Sequence, residues 1–376
     1  MRDHDGLTFS LQEYERRLTE LRQRMQERLL DAVIISDPEN MAYLTGHQTT
    51  GYSFFQALLV PLDREPVSIT RHLETSNIEY RTWVEDARYY SDTGDAIQML
   101  YDVIRELGLI GKNIGHERNS YFFPAYQQDR LQTMFSNGSL QDCYGIVEEG
   151  RICKSDDEIE VMKKAAKATE AGMKAAFDAV AEGVTENEIA AAACAAMFSA
   201  GGEYPAVLPY VTSGPRTMIG HATWEGRTVQ ANEHVFLEMA GCFRRYHTAM
   251  MRTVVLGELS PSMYKAQERM KTALIEVENL IRPGVTVSDV DKLVRNIISD
   301  NDIGAQLVTR AGYSIGIAFA PSWDEGYMLS LKQGSPEVLK PGMTIHIIPW
   351  MYGVDGDKTC GISDTIRVTE KGCESF

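Results

Sequence analysis

One order of elements occurs twice in the second half of the chain, and it constrains the fold more than any other feature. The segments Ser155–Ala179 and Glu186–Ala200 have helical patterns and are followed by strand-like segments. Two further helical segments, Pro261–Ile281 and Thr286–Asp300, are again followed by strand-like segments. Two helices before strands, twice over, predict an α+β domain with a pseudo-two-fold arrangement.

The starts of the first two helices carry the same local signal. Ser155 has Glu158 three residues after it, and Thr185 has Glu188 at the same distance. This spacing predicts a capping box, in which each side chain bonds a free backbone amide of the first turn. The strand-like segments, which we expect to form a mostly antiparallel sheet, are Val207–Thr212, Val229–Ala240, Arg245–Val255, Thr344–Tyr352 and Ile362–Val368.

The first half of the chain alternates helical and strand-like segments. The helical ones are Leu11–Leu30 and Ala96–Glu106, and the strand-like ones are Ala32–Ser36, Phe55–Leu62, Glu65–Ile69 and Asn113–His116. Such alternation is typical of an α/β layer domain. We therefore predict an α/β domain over residues 1–154 and an α+β domain over residues 155–376.

The net charge and the cysteine spacing argue against several classes of protein. The formal net charge is −16 without a basic stripe, which argues against nucleic-acid binding and mildly favours a cationic ligand. The six cysteines form no C-x-x-C pair, and the polar N-terminus shows no signal peptide. No apolar run has the length of a membrane span. We expect a cytoplasmic protein with free thiols and no membrane partner.

Short motifs in a fixed order extend over nearly the whole chain. They are Asn40–Gly46 (NMAYLTG), Arg151–Met162 (RICKSDDEIEVM), Glu182–Ile189 (EGVTENEI), Val235–Gly257 (VFLEMAGCFRRYHTAMMRTVVLG), Arg282–Val285 (RPGV), Leu339–Met343 (LKPGM) and Ser363–Val368 (SDTIRV). In this order they resemble the pita-bread metallopeptidases, such as methionine aminopeptidase and prolidase, with the creatinase/prolidase N-terminal domain in front. The resemblance implies an α/β N-terminal domain followed by an α+β pita-bread C-terminal domain.

That family holds two metal ions, but the resemblance implies that this chain has lost most of the ligands. The five ligand positions are occupied by Glu238, Ala249, Tyr313, Ile348 and Ser363, and a second active-site histidine is replaced by Ala320. One carboxylate among aliphatic and hydroxyl side chains cannot hold two divalent ions. We therefore expect no metal site and no other cofactor.

Metal-free members of the family either hydrolyse a C–N bond of a small amidine or guanidine, as creatinase does, or bind partners without catalysis. In the creatinase-like set a histidine transfers a proton, and His221 falls on its position. The catalytic glutamate of creatinase falls on Met251, whereas Glu238 stands where creatinase has no acidic residue. The strings FLEMAG, RRYHTAMMRTV and GYSIGIAFAPSW resemble instead the ectoine hydrolases, which open a cyclic amidine.

The resemblance implies that the substrate is ectoine, with 5-hydroxyectoine left open, and that the product is an N-acetylated 2,4-diaminobutyrate. Because the amidinium is already cationic, no metal is needed to polarise it. Glu238, flanked by apolar residues, can pair with the amidinium, activate water or attack the C2 carbon, and these roles stay open. His221 can shuttle the proton, and Tyr313 can bond the substrate. Another creatinase-like amidinohydrolase and a non-catalytic binding module are the alternatives.

The remaining substrate contacts are candidates for the ring carboxylate and for the planar cation. The cations are Arg71 and Arg310, and the aromatic residues are Tyr52, Phe54, Trp83 and Trp323, of which Tyr52 and Trp323 are favoured. His47 is expected to be an ordinary loop histidine. In relatives, the segment equivalent to that around Arg71 contributes across a dimer interface. We therefore expect a homodimer in which the N-terminal domain helps to close the partner's pocket.

Overall fold

The computed structural model describes residues 1–135, 139–299 and 303–376, and it contains two compact units, Met1–Arg151 and Ile152–Phe376. The first unit is an α/β layer structure and the second is α+β, as the sequence predicts. None of the helices in the described ranges combines the length and the apolarity that crossing a membrane requires.

In the N-terminal unit, helices cover one mixed sheet. The helices are α1 (Leu11–Glu27), α2 (Pro38–Thr45), α3 (Thr75–Arg81), α4 (Ala96–Glu106), α5 (Ala125–Met134) and α6 (Glu148–Arg151). The strands are β1 (Ala32–Ile35), β2 (Ala57–Pro61), β3 (Val67–Arg71), β4 (Asp86–Tyr90), β5 (Asn113–His116) and β6 (Ser139–Asp142). Their order in the sheet is β4-β3-β2-β1-β5-β6, and β2 runs antiparallel to both of its neighbours. All four residues of β1 are buried, as expected for a central strand with both faces covered.

The C-terminal unit repeats helices and strands in the predicted order. Its helices are α7 (Asp156–Ala179), α8 (Glu186–Ser199), α9 (Pro261–Leu280) and α10 (Val287–Ser299). Its strands are β7 (Tyr210–Ser213), β8 (His234–Phe243), β9 (Tyr246–Val255), β10 (Gly312–Ser314), β11 (Ser330–Leu331), β12 (Thr344–Ile347), β13 (Trp350–Val354), β14 (Lys358–Gly361), β15 (Asp364–Val368) and β16 (Cys373–Ser375). Both predicted capping boxes are present, at Ser155 and at Thr185. Asp300, the last residue of one predicted helix, lies outside the described residues.

Two sheets of this unit position the site described below. One has the order β7-β8-β9, and the other has the order β11-β10-β12-β15-β16. Isolated bridges between Met251 and Ser363, and between Tyr246 and Ile317, connect β9 to the second set of strands. The two sheets are therefore joined along β9, and side chains from both can reach one cavity.

The predicted strand Thr344–Tyr352 is wrong in one respect, because it is two strands. β12 ends at Ile347 and β13 begins at Trp350, with Pro349 between them. Proline has no backbone N–H and interrupts a ladder of hydrogen bonds, which explains the break. Helix α2 was not predicted, although its first residue, Pro38, is a favourable residue at the first helical position.

Candidate active site

A cavity of about 310 Å³ in the C-terminal unit brings together four of the residues that the sequence singles out. His221, Glu238, Tyr313 and Trp323 all line it, although they lie on three separate parts of the chain. Arg310 lines it as well. The cavity is large enough for a small molecule and too small to enclose a long peptide.

Glu238 lies on β8, directly opposite Tyr210 on β7 and Met251 on β9. Its side chain is buried, and burial raises the pKa of its carboxyl group to about 8. Within the described residues this carboxyl group has no hydrogen bond or ion pair. A buried carboxylate without a partner is unfavourable in free energy, so the site favours a cation beside Glu238.

Tyr313 on β10 belongs to a buried chain of hydrogen bonds. The indole N–H of Trp323 donates to the Tyr313 hydroxyl oxygen at 3.0 Å, and Nδ1 of His346 lies 2.8 Å from the same oxygen. The other ring nitrogen of His346 lies 2.5 Å from Oγ of Ser363. His346 therefore connects Tyr313 to Ser363, and both of these stand at positions where the resembled family has metal ligands.

Aromatic rings form much of the cavity wall. The ring of Tyr210 lies edge-on to Trp323, with centroids 5.5 Å apart, and is tilted against His221 at 5.9 Å. Trp350 also lines the cavity and stacks on Phe236 at 5.2 Å with an interplanar angle of 10°. Flat aromatic walls around a buried carboxylate suit a small planar cation.

His221 is exposed and lies on a loop that follows the short 3-10 helix Gly214–Met218. Its backbone has a positive φ of 60°, which is uncommon for a residue with a side chain. Arg216 fixes this loop, because its guanidinium pairs with the buried Glu186 and donates to the Thr223 carbonyl at 2.7 Å. Arg216 thus ties together the two ends of the loop that carries His221, whose ring lies against Tyr210 in the cavity lining.

Two ion pairs lie at or next to the cavity. The guanidinium of Arg310 lies 4.5 Å from the centroid of the Tyr313 ring and pairs with Asp324 at 3.1 Å. Next along the chain, Glu325 pairs with Lys154 at 2.6 Å, and both side chains are almost fully buried. These charges compensate one another. Arg310 is therefore a poorer candidate for a substrate carboxylate than its position alone indicates, and Glu238 is left as the acidic group of the cavity without a partner among the described residues.

The donor atoms around Glu238 do not fit a centre of two metal ions. Ala249 and Ile348 carry no ligand atom, and Ser363 is occupied by His346. Among the described residues, three or more side chains of metal-binding type converge in one place only, at Asp37, Glu117 and Glu148 of the other unit.

That acidic group is part of a local hydrogen-bond network. Glu117 accepts hydrogen bonds from the backbone N–H groups of Ser36 and Asp37, at the start of α2, and from the Asn40 side chain. Arg151 also donates to the Asn40 side chain, at 2.7 Å. The network therefore has a structural explanation at a helix N-terminus.

Two predicted substrate contacts lie in the N-terminal unit. Tyr52 packs edge-on against Phe122, with ring centroids 5.6 Å apart. Arg71 pairs with Asp92 at 3.2 Å, and its guanidinium lies 3.9 Å from the ring centroid of the exposed Phe54. Their roles in binding stay predictions, because they concern a second copy of the chain.

Two other residues considered from the sequence are interior residues of the same unit. Trp83 is 1% exposed, and its indole N–H donates to the carbonyl of Leu44 at 2.9 Å. It is a core residue and not a pocket residue, which corrects that expectation. His47 is buried beside Gln56 at 3.1 Å, and burial lowers the pKa of its imidazole.

Sequence reasoning missed His346, Tyr210 and Trp350. A signal existed for His346, because it is flanked by isoleucines in a fully buried strand, and a buried polar side chain needs partners. Tyr210 becomes relevant only through its register opposite Glu238, which no local pattern shows.

The comparisons with known proteins agree with this architecture. Residues 17–153 match the creatinase/prolidase N-terminal domain, and residues 160–370 match metallopeptidase family M24. The prolidase from Pyrococcus horikoshii has the same fold, with a TM-score of 0.83 at 21% identity over 96% of this chain and 97% of that one. The prolidase from Thermococcus sibiricus gives 0.85 at 23% identity, with 96% of each chain covered. The predicted pita-bread fold is confirmed.

Two curated relatives are similar over nearly their full length. An ectoine hydrolase from Halomonas elongata is 29% identical over 99% of this chain and 96% of its own. An uncharacterized hydrolase/peptidase from Sinorhizobium fredii is 31% identical over 98% of this chain and 96% of its own. With the matching domains, the fold and these relatives together, the chain belongs to metallopeptidase family M24 and is a hydrolase of its creatinase/prolidase type.

Proposed function

We propose that this hydrolase opens the cyclic amidine ring of ectoine without a metal ion, giving N-acetyl-2,4-diaminobutyrate. The observation that carries the proposal is Glu238. It is a buried carboxyl group without a partner among the described residues, in an aromatic cavity whose donor atoms do not suit two metal ions. The similarity to the ectoine hydrolase of Halomonas elongata supports the choice of substrate.

The charge of the substrate explains why a carboxylate can replace a metal. In ectoine the C2 carbon lies between two nitrogens that share a positive charge, so it is electrophilic without a Lewis acid. An ionised Glu238 pairs with this cation and orients it. The pairing is strong because the site is buried, where charges are poorly screened.

Hydrolysis adds water across a C2–N bond. The oxygen joins C2, the C2–N bond breaks, and the nitrogen that leaves takes up a proton as the ring opens. Glu238 supplies the oxygen nucleophile directly or by removing a proton from water, and His221 carries the proton to the leaving nitrogen. The imidazole suits this task because it is exposed at the cavity on an anchored loop and can exchange protons with solvent.

The two roles of Glu238, direct attack on C2 and removal of a proton from water, can be distinguished by isotope labelling. A direct attack on C2, with cleavage of one C2–N bond, forms a covalent O-acyl imidate with Glu238. When water then attacks the carboxyl carbon of this adduct, a single turnover in ¹⁸O-labelled water leaves the label in the Glu238 carboxyl group. General-base catalysis places the label only in the product acetyl group. Peptide mass spectrometry after one turnover distinguishes them.

The proposal includes three further features. The protein is a cytoplasmic homodimer, Tyr52 and Arg71 of one chain contact the substrate bound by the other, and 5-hydroxyectoine is a candidate second substrate. The side chain of Arg71 is 13% exposed, and it lies between the exposed residues Asp92 and Phe54, which are the side chains that a second copy would meet first.

Creatinase-like activity is the nearest alternative, and one contact argues against it. The position equivalent to the catalytic glutamate of creatinase is Met251, which lines the cavity but has no carboxylate. A non-catalytic module that binds a cation would account for Glu238, but it gives no role to His221, which lines the same cavity.

The deciding experiment is incubation of the purified protein with ectoine, creatine and an Xaa-Pro dipeptide, each followed by proton NMR. We expect loss of the ectoine ring signals and appearance of an acetyl methyl signal, with creatine and dipeptide unchanged. The Glu238→Gln variant is the control for contaminating activity. Turnover of creatine or the dipeptide in place of ectoine would overturn the proposal.

A further inference from the structure

His346 is buried behind the cavity and has no role in the chemistry described so far. It lies on β12 and is the register partner of Tyr313 on β10. We infer that His346 is a positioning residue which, together with Trp323, fixes the Tyr313 hydroxyl as a hydrogen-bond donor into the cavity. The inference rests on the proposed function only for its kinetic test.

The arrangement of hydrogens follows from which groups can donate. The indole N–H of Trp323 can only donate, so the Tyr313 oxygen accepts at 3.0 Å. His346 meets the same oxygen through Nδ1 at 2.8 Å and meets Oγ of Ser363 through Nε2 at 2.5 Å. A neutral imidazole carries one N–H, either on Nδ1 or on Nε2, so two arrangements remain. They differ in which group accepts the hydroxyl proton of Tyr313.

If Nε2 carries the hydrogen, the Tyr313 hydroxyl must donate to Nδ1, and the Ser363 hydroxyl is left without an acceptor among the described residues. If Nδ1 carries it, His346 donates to Tyr313 and Ser363 donates to Nε2. Each arrangement leaves one hydroxyl without an acceptor among the described residues: Ser363 in the first and Tyr313 in the second. Ser363 is fully buried, whereas Tyr313 lines the cavity, where its hydroxyl can donate to water or to a ligand. Because a fully buried donor is nearly always paired, the Nδ1–H form is favoured.

In that form two donors converge on the Tyr313 oxygen and leave its proton for the cavity, which Tyr313 lines. The charge states agree with this arrangement. Burial, together with Arg252 and Arg310, lowers the pKa of His346 to about 3, so the ring is neutral. Burial and then Glu238 raise the pKa of the Tyr313 phenol, so it keeps its proton.

A fixed donor matters for ring opening because an amidinium nitrogen has no free lone pair. The lone pair appears only after C2 has been attacked, so a hydrogen bond from Tyr313 to that nitrogen strengthens as the reaction proceeds. Interactions that form only late in a reaction raise kcat and leave substrate binding nearly unchanged. Loss of His346 should therefore lower kcat and leave KM nearly unchanged, an effect that loss of a purely structural histidine would not have.

The kinetic test compares variants of His346 with a matched buried histidine. His346→Leu and Tyr313→Phe should each lower kcat for ectoine by about ten-fold or more with KM within about two-fold. His346→Asn keeps an N–H near the Nδ1 position and should retain more of kcat than His346→Leu. The control is His247→Leu. His247 is equally buried and also bonds through both ring nitrogens, to Ala206 and Arg245, but does not line the cavity. Its loss should lower the melting temperature and leave kcat unchanged.

A second measurement needs no substrate. In ¹⁵N-histidine-labelled protein at pH 7, the His346 ring should appear as the neutral Nδ1–H form, and Tyr313→Phe should shift that N–H signal. Assignment comes from its absence in His346→Asn. An Nε2–H form, or a kcat of His346→Leu equal to that of wild type, would overturn the inference. If wild type does not turn over ectoine, the proposed function fails while the NMR result still decides the role of His346.

Discussion

Glu238 and Met251 are direct cross-strand partners on β8 and β9, and both line the cavity. Creatinase, as the sequences align, has its catalytic glutamate at the position of Met251 and no acid at that of Glu238. In this cavity the carboxylate is therefore on β8, whereas in creatinase it would be on the strand equivalent to β9, at the cross-strand partner position. A carboxylate on β8 approaches a bound cation from a different direction than a carboxylate at position 251 on β9 would.

The first prediction concerns stability and needs no assay of activity. The pKa of Glu238 in the folded protein is about 8, above its ordinary value of 4.5, because burial disfavours the charge. The folded state therefore binds this proton more tightly than the unfolded chain. As a result, the contribution of Glu238 to the free energy of unfolding is fully present at low pH and is lost as the pH rises towards 8. Glutamine does not titrate, so the Glu238→Gln variant lacks this loss. The difference between the melting temperatures of the variant and the wild type should therefore grow in favour of the variant between pH 5 and 8.

The size of this effect follows from the shift. One pKa unit corresponds to about 1.4 kcal/mol, so the gain at pH 8 should reach at most a few kcal/mol. Thermal unfolding of both proteins over the pH range, without substrate, is the measurement. A difference in melting temperature that does not change with pH would mean that Glu238 titrates normally and that a partner compensates its charge.

The second prediction is a pH dependence of turnover. Glu238 must be ionised to act, so kcat/KM should rise with pH with a midpoint near 8, the pKa in the empty enzyme, and level off above it. A bound cation stabilises the carboxylate and lowers the pKa of Glu238 in the complex. The rise of kcat with pH should therefore have its midpoint at a lower pH than the rise of kcat/KM. Full profiles of both constants for ectoine test this. Identical midpoints in the two profiles would show that the amidinium does not pair with Glu238.

Much of the local structure could be predicted because its causes are local. The capping boxes at Ser155 and Thr185 depend on residues three positions apart, and both were found as expected. The site was harder, because its pairs depend on strand register. Tyr313 and His346 are 33 residues apart in the chain and meet only through the pairing of β10 with β12. The resemblance identified positions where ligands were lost, but not what now connects them.

The third prediction separates the imidazole of His221 from its backbone. A positive φ of 60° suits glycine, so His221→Gly should fold without strain and keep the loop. We expect kcat to fall by about 10²–10⁴-fold, the usual contribution of general acid–base catalysis, with little change in melting temperature. Added imidazole should restore part of the rate. Loss of activity without any rescue, together with a lowered melting temperature, would instead indicate a structural role.

The fourth prediction concerns metal removal. Because the donor set around Glu238 lacks side chains to hold two divalent ions, treatment with a strong chelator should leave ectoine turnover unchanged. A metal-dependent prolidase treated in parallel is the control and should lose activity. Elemental analysis of the active protein checks the same point independently. Turnover that disappears on chelation and returns with manganese or zinc would contradict a metal-independent reaction.

The last prediction tests whether Arg71 acts on the pocket of a second chain. Arg71→Ala and Glu238→Gln should each be nearly inactive alone. In a homodimer with contacts between chains, a hybrid of the two variants has one pocket with both defects and one with none. Coexpression in equal amounts should therefore restore about a quarter of wild-type activity, because about half of the dimers are hybrids with one intact pocket each.

Arg130→Ala is the matched control for Arg71→Ala, because Arg130 also forms an ion pair, with Asp95, in the same unit. Alone it should keep full activity, since it is not among the residues expected to contact the substrate. Light scattering should find a dimer for every variant, so that a change in assembly does not explain the kinetics. If the hybrids recover no activity although they form, Arg71 acts within its own chain or not at all. The substrate carboxylate must then be bound by a different group, of which Arg310 is the first to test, because it lines the cavity.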